Sequence, residues 1–164
     1  VSHLFTPGVL QQIRNRVVPV DPPSGYDLTG AEATADGWDW SVSGGEVHLI
    51  DYDVGVGGAV VVIPDTIDGY PVKTFEPSVL SPAGSFFRNK TGIDSISLVP
   101  GAAYPSHCFS GCSAHTVTVR SGFTSLTDST LRAMSSLATV IFPASGLTSI
   151  GSRCFQSCSS LVSI

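Results

Sequence analysis

Charge is what this chain has least of. Only 13% of its 164 residues are Asp, Glu, Lys or Arg, about half the usual share. The eight basic residues, six of them Arg, nowhere form a block, and the net charge is -5. The chain therefore lacks the dense cationic footprint that neutralises nucleic-acid phosphates or an anionic membrane, and both partners are discounted. Long apolar runs are missing too: the VVVI at 60–63 is strand-sized, against the ~18 residues of a membrane span. A basic segment followed by an apolar one, the mark of a secretory signal, is absent from the first twenty residues. Either such a signal has already been removed or it was never there; a leading Val read literally as a start codon would make this N-terminus authentic.

What is plentiful is Gly, Ser, Thr and Pro, in a chain that is 42% hydrophobic, so polar surface must come from hydroxyls and backbone. Beyond about residue 78 the chain repeats itself. HCFSGCSAHTVTV (107–119), TLRAMSSLATVIFP (130–143) and RCFQSCSSLVSI (153–164) follow one template, with a more divergent copy in FFRNKTGIDSISLVP (86–100). The large apolar residue of each gives the anchors Phe87, Phe109, Leu131 and Phe155, spaced 22, 22 and 24 residues. That is the period of a solenoid. Three residues after the anchors come Lys90, Cys112, Met134 and Cys158; six after come Ile93, His115, Leu137 and Leu161. Each unit should supply a short strand, such as Thr139 to Phe142, and a compact helical or irregular return. Stacked units would align like residues into ladders with strands ~4.8 Å apart.

The run IGSRCFQSCSSLVSI, Ile150 to Ile164, resembles the BspA-like leucine-rich repeats in its I-G-x-x-C/A-F-x-x-C-x-x-L-x-x-I pattern. The stretch from Trp40 to Phe75, with IPDTIDGYPV as its strongest part, is similar to the strand pair that often opens such arrays. The resemblance covers about 125 residues. It implies an α/β-type or mainly β leucine-rich-repeat solenoid, displayed on bacterial adhesins, other exported or protist surface proteins, or phage virions, and it brings no catalytic residues.

The chain then divides into three parts. Residues 1–36 form an N-terminal arm: Val9, Leu10, Ile13 and Val17 lie at helical spacing, followed by the Pro-rich linker 18–25. This arm is either a loosely packed leader or a segment that docks on another subunit. Residues 37–78 form a β-rich cap with strand candidates Trp38–Val42, Glu46–Tyr52 and Ala59–Ile63. Residues 79–164 are the repeats, ending in a strand-forming position that a continuation or a partner would cover.

Candidate chemistry is sparse. His107, Cys108, Cys112 and His115 would suit a metal, but the sister copy RCFQSCSSL lacks both histidines. Cys112 and Cys158, two units apart, are ~10 Å distant, beyond disulfide reach. Only Cys108 with Cys112, or Cys154 with Cys158, can pair locally, and buried free thiols filling ladder positions are expected. No catalytic, metal or cofactor site is assigned. The four histidines, including His3 and His48, lie in different elements, and no G-x-S-x-G elbow accompanies the many serines. Asp51, Asp53, Asp65 and Asp68 read as turn residues. Trp38 and Trp40, with Tyr52 and Tyr70, either form an exposed binding patch or pack the cap. His107 and His115, where the second copy departs from its siblings, are the remaining surface-contact candidates. The expectation is a non-enzymatic interaction or structural module without cofactor. It would bind other virion or surface subunits, or a host glycan or protein, within a larger assembly. The setting expected is a virion surface or minor tail protein, with a bacterial cell-surface adhesin as the alternative and a hydrolase on the same scaffold behind both.

Overall fold

The computed structural model describes residues 37–75 and 86–163; the proposed arm lies outside them. The first two strands, β1 (Trp38–Ser43) and β2 (Glu46–Tyr52), form an antiparallel hairpin. Its two-residue turn, Gly44-Gly45, has positive φ at both positions, the backbone that fits strand twist and that glycine adopts without penalty. A single helical turn α1 (Val54–Gly57), capped by the Asp53 carboxylate, leads to β3 (Val60–Val62). The IPDTIDGYPV block is a second hairpin, β4 (Thr66–Ile67) with β5 (Tyr70–Phe75), turned at Asp68-Gly69 with φ of 51° and 81°. The remaining strands are short: β6 (Ser95–Leu98), β7 (Thr116–Val119), β8 (Ser125–Leu126), β9 (Thr139–Ile141) and β10 (Ser149–Ile150).

The strands assemble as a mainly β solenoid. One parallel sheet has the order β3-β6-β7-β9, with Val61, Ile96, Val117 and Val140 in register, and Ser163 bridges Thr139 as the start of a further rung. On the opposite side, β8 pairs β10 in parallel, and Thr74 of β5 bridges Ala103. The cap sheet has the order β1-β2-β5-β4. Between strands the chain returns through turns. Among the described residues the only helix is the single turn α1, so the mainly β form of the fold is the one adopted. The strand Ala59–Ile63, read from sequence with the cap, supplies as β3 the first strand of the repeat sheet.

The expected ladders form the core. Phe87, Phe109 and Leu131 are fully buried, and the rings of the first two stack with centroids 5.1 Å apart. Burying a Phe of this kind stabilises by ~1.5–3 kcal/mol. Cys112 and Met134 are buried three residues on. Lys90, at the same position in the first copy, reaches Asp51 of β2 with its ammonium 2.7 Å from the carboxylate, so the ladder ends there in an ion pair that ties repeat to cap. Aromatic rings complete the join: Trp38 packs on Tyr52 at 4.5 Å and on Phe86 and Phe87 at 6.2 Å. Tyr104, where the later copies have Leu126 and Ile150, stacks on Phe75 at 4.8 Å. Its hydroxyl donates to the Val99 carbonyl and accepts from the Val99 amide; burial pushes the phenol well above its usual range.

One ladder position differs from the sequence reading. Counting six residues from Phe109 puts His115 on the leucine rung, but Ala114 is the buried residue and His115 is exposed. The second copy is one residue shorter between Cys112 and the strand, so alignment on Val117 moves every later residue by one. In the third and fourth copies the amide of the rung residue bonds within its own turn, Leu137 to Met134 and Leu161 to Cys158. In the first copy the corresponding carbonyl, of Lys90, is taken instead by the Ser113 amide of the shortened turn. The displaced Ile93 amide then donates to Ser113 Oγ (3.0 Å), which donates back to the Ile93 carbonyl (2.8 Å). A serine side chain thus restores the backbone bonding that the missing residue would have disturbed.

Candidate interaction surface

In a parallel sheet with one buried face, alternate residues point outward. The outward residues are Val60 and Val62 on β3, Ser95 and Ser97 on β6, Thr116 and Thr118 on β7, and Thr139 and Ile141 on β9. They make two columns of hydroxyl and methyl groups without a charge. Val60 and Val62 on β3 and Ile141 on β9, the two outer strands, are 65%, 56% and 50% exposed. The charges stand at the rims. At the entry to the strands, Asp94 and His115 are exposed neighbours, with the His115 amide donating to the Asp94 carbonyl at 2.9 Å.

At the exit, Arg120 crosses three strands. Its Nε donates to the Leu98 carbonyl (2.7 Å), one terminal nitrogen to the Ile63 carbonyl (2.8 Å), and the other to Asp65 (2.8 Å). The planar guanidinium fork suits this triple acceptor, and it holds the exit edge of the face in one geometry. Asp65, read from sequence as a turn residue, is also the anionic partner of this clamp.

The other sequence candidates fall elsewhere. Trp38 and Trp40 are 2% and 6% exposed, so they are not surface contacts: the cap buries both indoles because they offer the largest apolar area available to it. Tyr52 is buried with them, its hydroxyl donating to the Gly58 carbonyl, while Tyr70 stays exposed. His48 pairs with the Thr74 hydroxyl. His107 sits half-buried in a turn and accepts from Arg132 Nη1 at 3.0 Å, on a different side from His115. His3, Val9, Leu10, Ile13 and Val17 lie outside the described residues. All four cysteines are free. Burial pushes the Cys108 thiol up to about 12 and raises those of Cys112, Cys154 and Cys158, and the Cys158 thiol donates to the Leu131 carbonyl of the preceding turn. No three His, Cys, Asp or Glu side chains converge among the described residues.

The outward sheet face was not singled out by sequence reasoning. Its signal is there in Ser95-Ile96-Ser97 and Thr116-Val117-Thr118, where hydroxyl residues alternate with buried apolar ones in matching registers.

Comparison with known proteins agrees with this architecture. The BspA type leucine-rich repeat region, in six copies, matches residues 74–164, more than half of the chain, and the chain belongs to that family. Among solved structures it is similar to a leucine-rich repeat protein of Treponema pallidum, with 26% identity and a TM-score of 0.55 over 78% of this chain and 57% of that one. A leucine-rich repeat protein from Bacteroides ovatus shares the fold at 16% identity and a TM-score of 0.50, over 78% of this chain and 39% of that one. The chain thus spans 57% and 39% of those two proteins. No curated protein sequence matches it.

Proposed function

We infer that this chain is a non-enzymatic interaction module whose outward sheet face binds a partner protein. The observation that carries this reading is the uncharged outward face of β3-β6-β7-β9, with hydroxyl residues on its central strands and Val60, Val62 and Ile141 exposed on its two outer strands. An uncharged face with its charges confined to the rim matches the charge-depleted core of a protein interface, and the parallel sheet holds it rigid, so little ordering entropy is lost on binding. The repeat family that matches residues 74–164 supports the non-enzymatic part of this reading. The setting proposed is the exterior of a virion, as a surface or minor tail-type subunit, or else a bacterial cell surface, where the protein would act as an adhesin. The test is charge insertion. Thr118→Lys together with Ser97→Lys should abolish capture of the partner from particles or cell envelopes without lowering the unfolding midpoint by more than a few degrees. Undiminished capture by that variant would refute the reading, and mass spectrometry of purified particles against envelope fractions decides the setting.

A further inference from the structure

The described residues are polarised in charge. The cap, 37–75, carries Asp39, Glu46, Asp51, Asp53, Asp65 and Asp68 against Lys73, whereas the repeats, 86–163, carry Arg88, Lys90, Arg120, Arg132 and Arg153 against Asp94 and Asp128. Lys90 and Arg120 are spent on cap carboxylates. The other three cations project from the turns that follow or precede the anchors, away from the sheet face. Bonds between successive turns fix this ridge: the Asn89 amide donates to Ser110, Gly111 to Ala133, and Ala133 to Gln156. Arg88, Ser110, Arg132 and Gln156 therefore occupy equivalent places on four successive rungs. Arg88 and Arg132, two rungs apart, stand ~10 Å from one another along the solenoid axis.

Neither of these two arginines has an ion-pair partner among the described residues. Arg132 instead donates to the imidazole of His107, which orients the guanidinium and leaves its charge uncompensated. The one acid on the ridge, Asp128, is already engaged by the Arg153 amide and the hydroxyls of Ser152 and Ser129.

We propose that this turn ridge binds an acidic polysaccharide lengthwise, Arg88 and Arg132 each pairing with a carboxylate and the intervening Ser110 and flanking Gln156 meeting sugar hydroxyls. Three features select that ligand. Arginine forks match carboxylates in a bidentate way. Cations ~10 Å apart are far too sparse for nucleic acid, whose duplex presents a charge every ~1.7 Å. A protein partner would need an apolar anchor, and none of the exposed large apolar side chains, Val56, Val60, Val62, Tyr70, Ile141, Ile150 and Val162, belongs to these turn positions. The site is separate from the sheet face, so either can fail without the other.

The experiment uses the full chain with polygalacturonate as probe, neutral dextran of similar size as control, and poly-glutamate for the protein alternative. Polygalacturonate should bind at low ionic strength, weaken as salt is added, and lose affinity roughly tenfold or more in an Arg88→Ser, Arg132→Gln variant with an unchanged unfolding midpoint. Arg132→Lys should retain part of the binding, and Thr118→Lys on the sheet face all of it. Absence of polygalacturonate binding, equal binding by the double variant, or equally tight binding of dextran or poly-glutamate would each overturn the proposal.

Discussion

Replacing Ser113 by alanine should loosen the join between the first two turns of the array. The hydroxyl holds both the amide and the carbonyl of Ile93, at 3.0 and 2.8 Å, and Ile93 itself is 1% exposed. Alanine fills nearly the same space, so packing is kept and only the bonding is lost. An unsatisfied buried donor or acceptor costs ~1–3 kcal/mol; with two such groups in a partly buried setting the sum is about 2–4 kcal/mol. At roughly 2–4 °C per kcal/mol for a chain of this size, the unfolding midpoint should fall by ~4–16 °C. Thermal unfolding followed by circular dichroism reads this directly. A second variant isolates the cause: inserting a serine between Ser113 and Ala114, with Ala114→Leu, restores the longer spacing of the third copy, M-S-S-L. In that background the Ile93 amide can return to the Lys90 carbonyl, and Ser113→Ala should cost no more than ~0.5 kcal/mol, as at an ordinary surface site. A Ser113→Ala loss below ~0.5 kcal/mol in the parent, or the same full loss in both backgrounds, would refute the reasoning.

Other perturbations probe other parts of the stack. Gly151→Ala should destabilise the last turn by ~1–3 kcal/mol or more, read as faster amide exchange there, because its methyl would stand 2.4–2.6 Å from the backbone of Thr127 and Asp128. The Asp128 carboxyl is held below its ordinary value, chiefly by the Arg153 amide and then by the Ser152 hydroxyl. Its contribution is therefore present above the unfolded-state pKa and is lost as pH falls through the lower folded one. Amide exchange in the last turn should thus rise in acid, and Asp128→Asn should flatten that pH dependence. Alkylation by iodoacetamide followed by peptide mass mapping should label Cys158, half-buried on the last turn, before Cys108, whose thiol is buried and pushed up to about 12.

The anchors and their period were readable because burial acts on every copy alike: Phe87, Phe109 and Leu131 recur at a fixed spacing and all lie in the core. Register was harder. The sequence shows that the second copy reaches Val117 one residue early but not where the position is lost; the pairing of Ile96 with Val117 and Val140, with Ala114 buried and His115 exposed, places the loss before the leucine rung. The first strand was missed as a repeat because the 35 residues from Val61 to Ile96, its partner in the sheet, include the whole β4–β5 hairpin. The left-handed turn residues were also hidden: Asn89, Gly111, Ala133 and Ser157 share one rung position with φ of 57–73°, yet only one is the glycine that such a backbone favours. Trp38 and Trp40 illustrate the limit of composition, since an indole has the same letter whether it plugs a cap or greets a ligand. The sheet face and the arginine ridge depend on which side of a turn a residue leaves, which register alone decides.

The most direct test of the account places a photo-crosslinking residue in turn at Ser97, Thr118 and Ile141 on the sheet face, and at Ala102 and Thr148 on the opposite side, and irradiates the protein in its native particles or envelopes. The account predicts one shared protein adduct from the three face positions and none of that adduct from the other two. An adduct pattern that is uniform over both sides, or that favours Ala102 and Thr148, would contradict it.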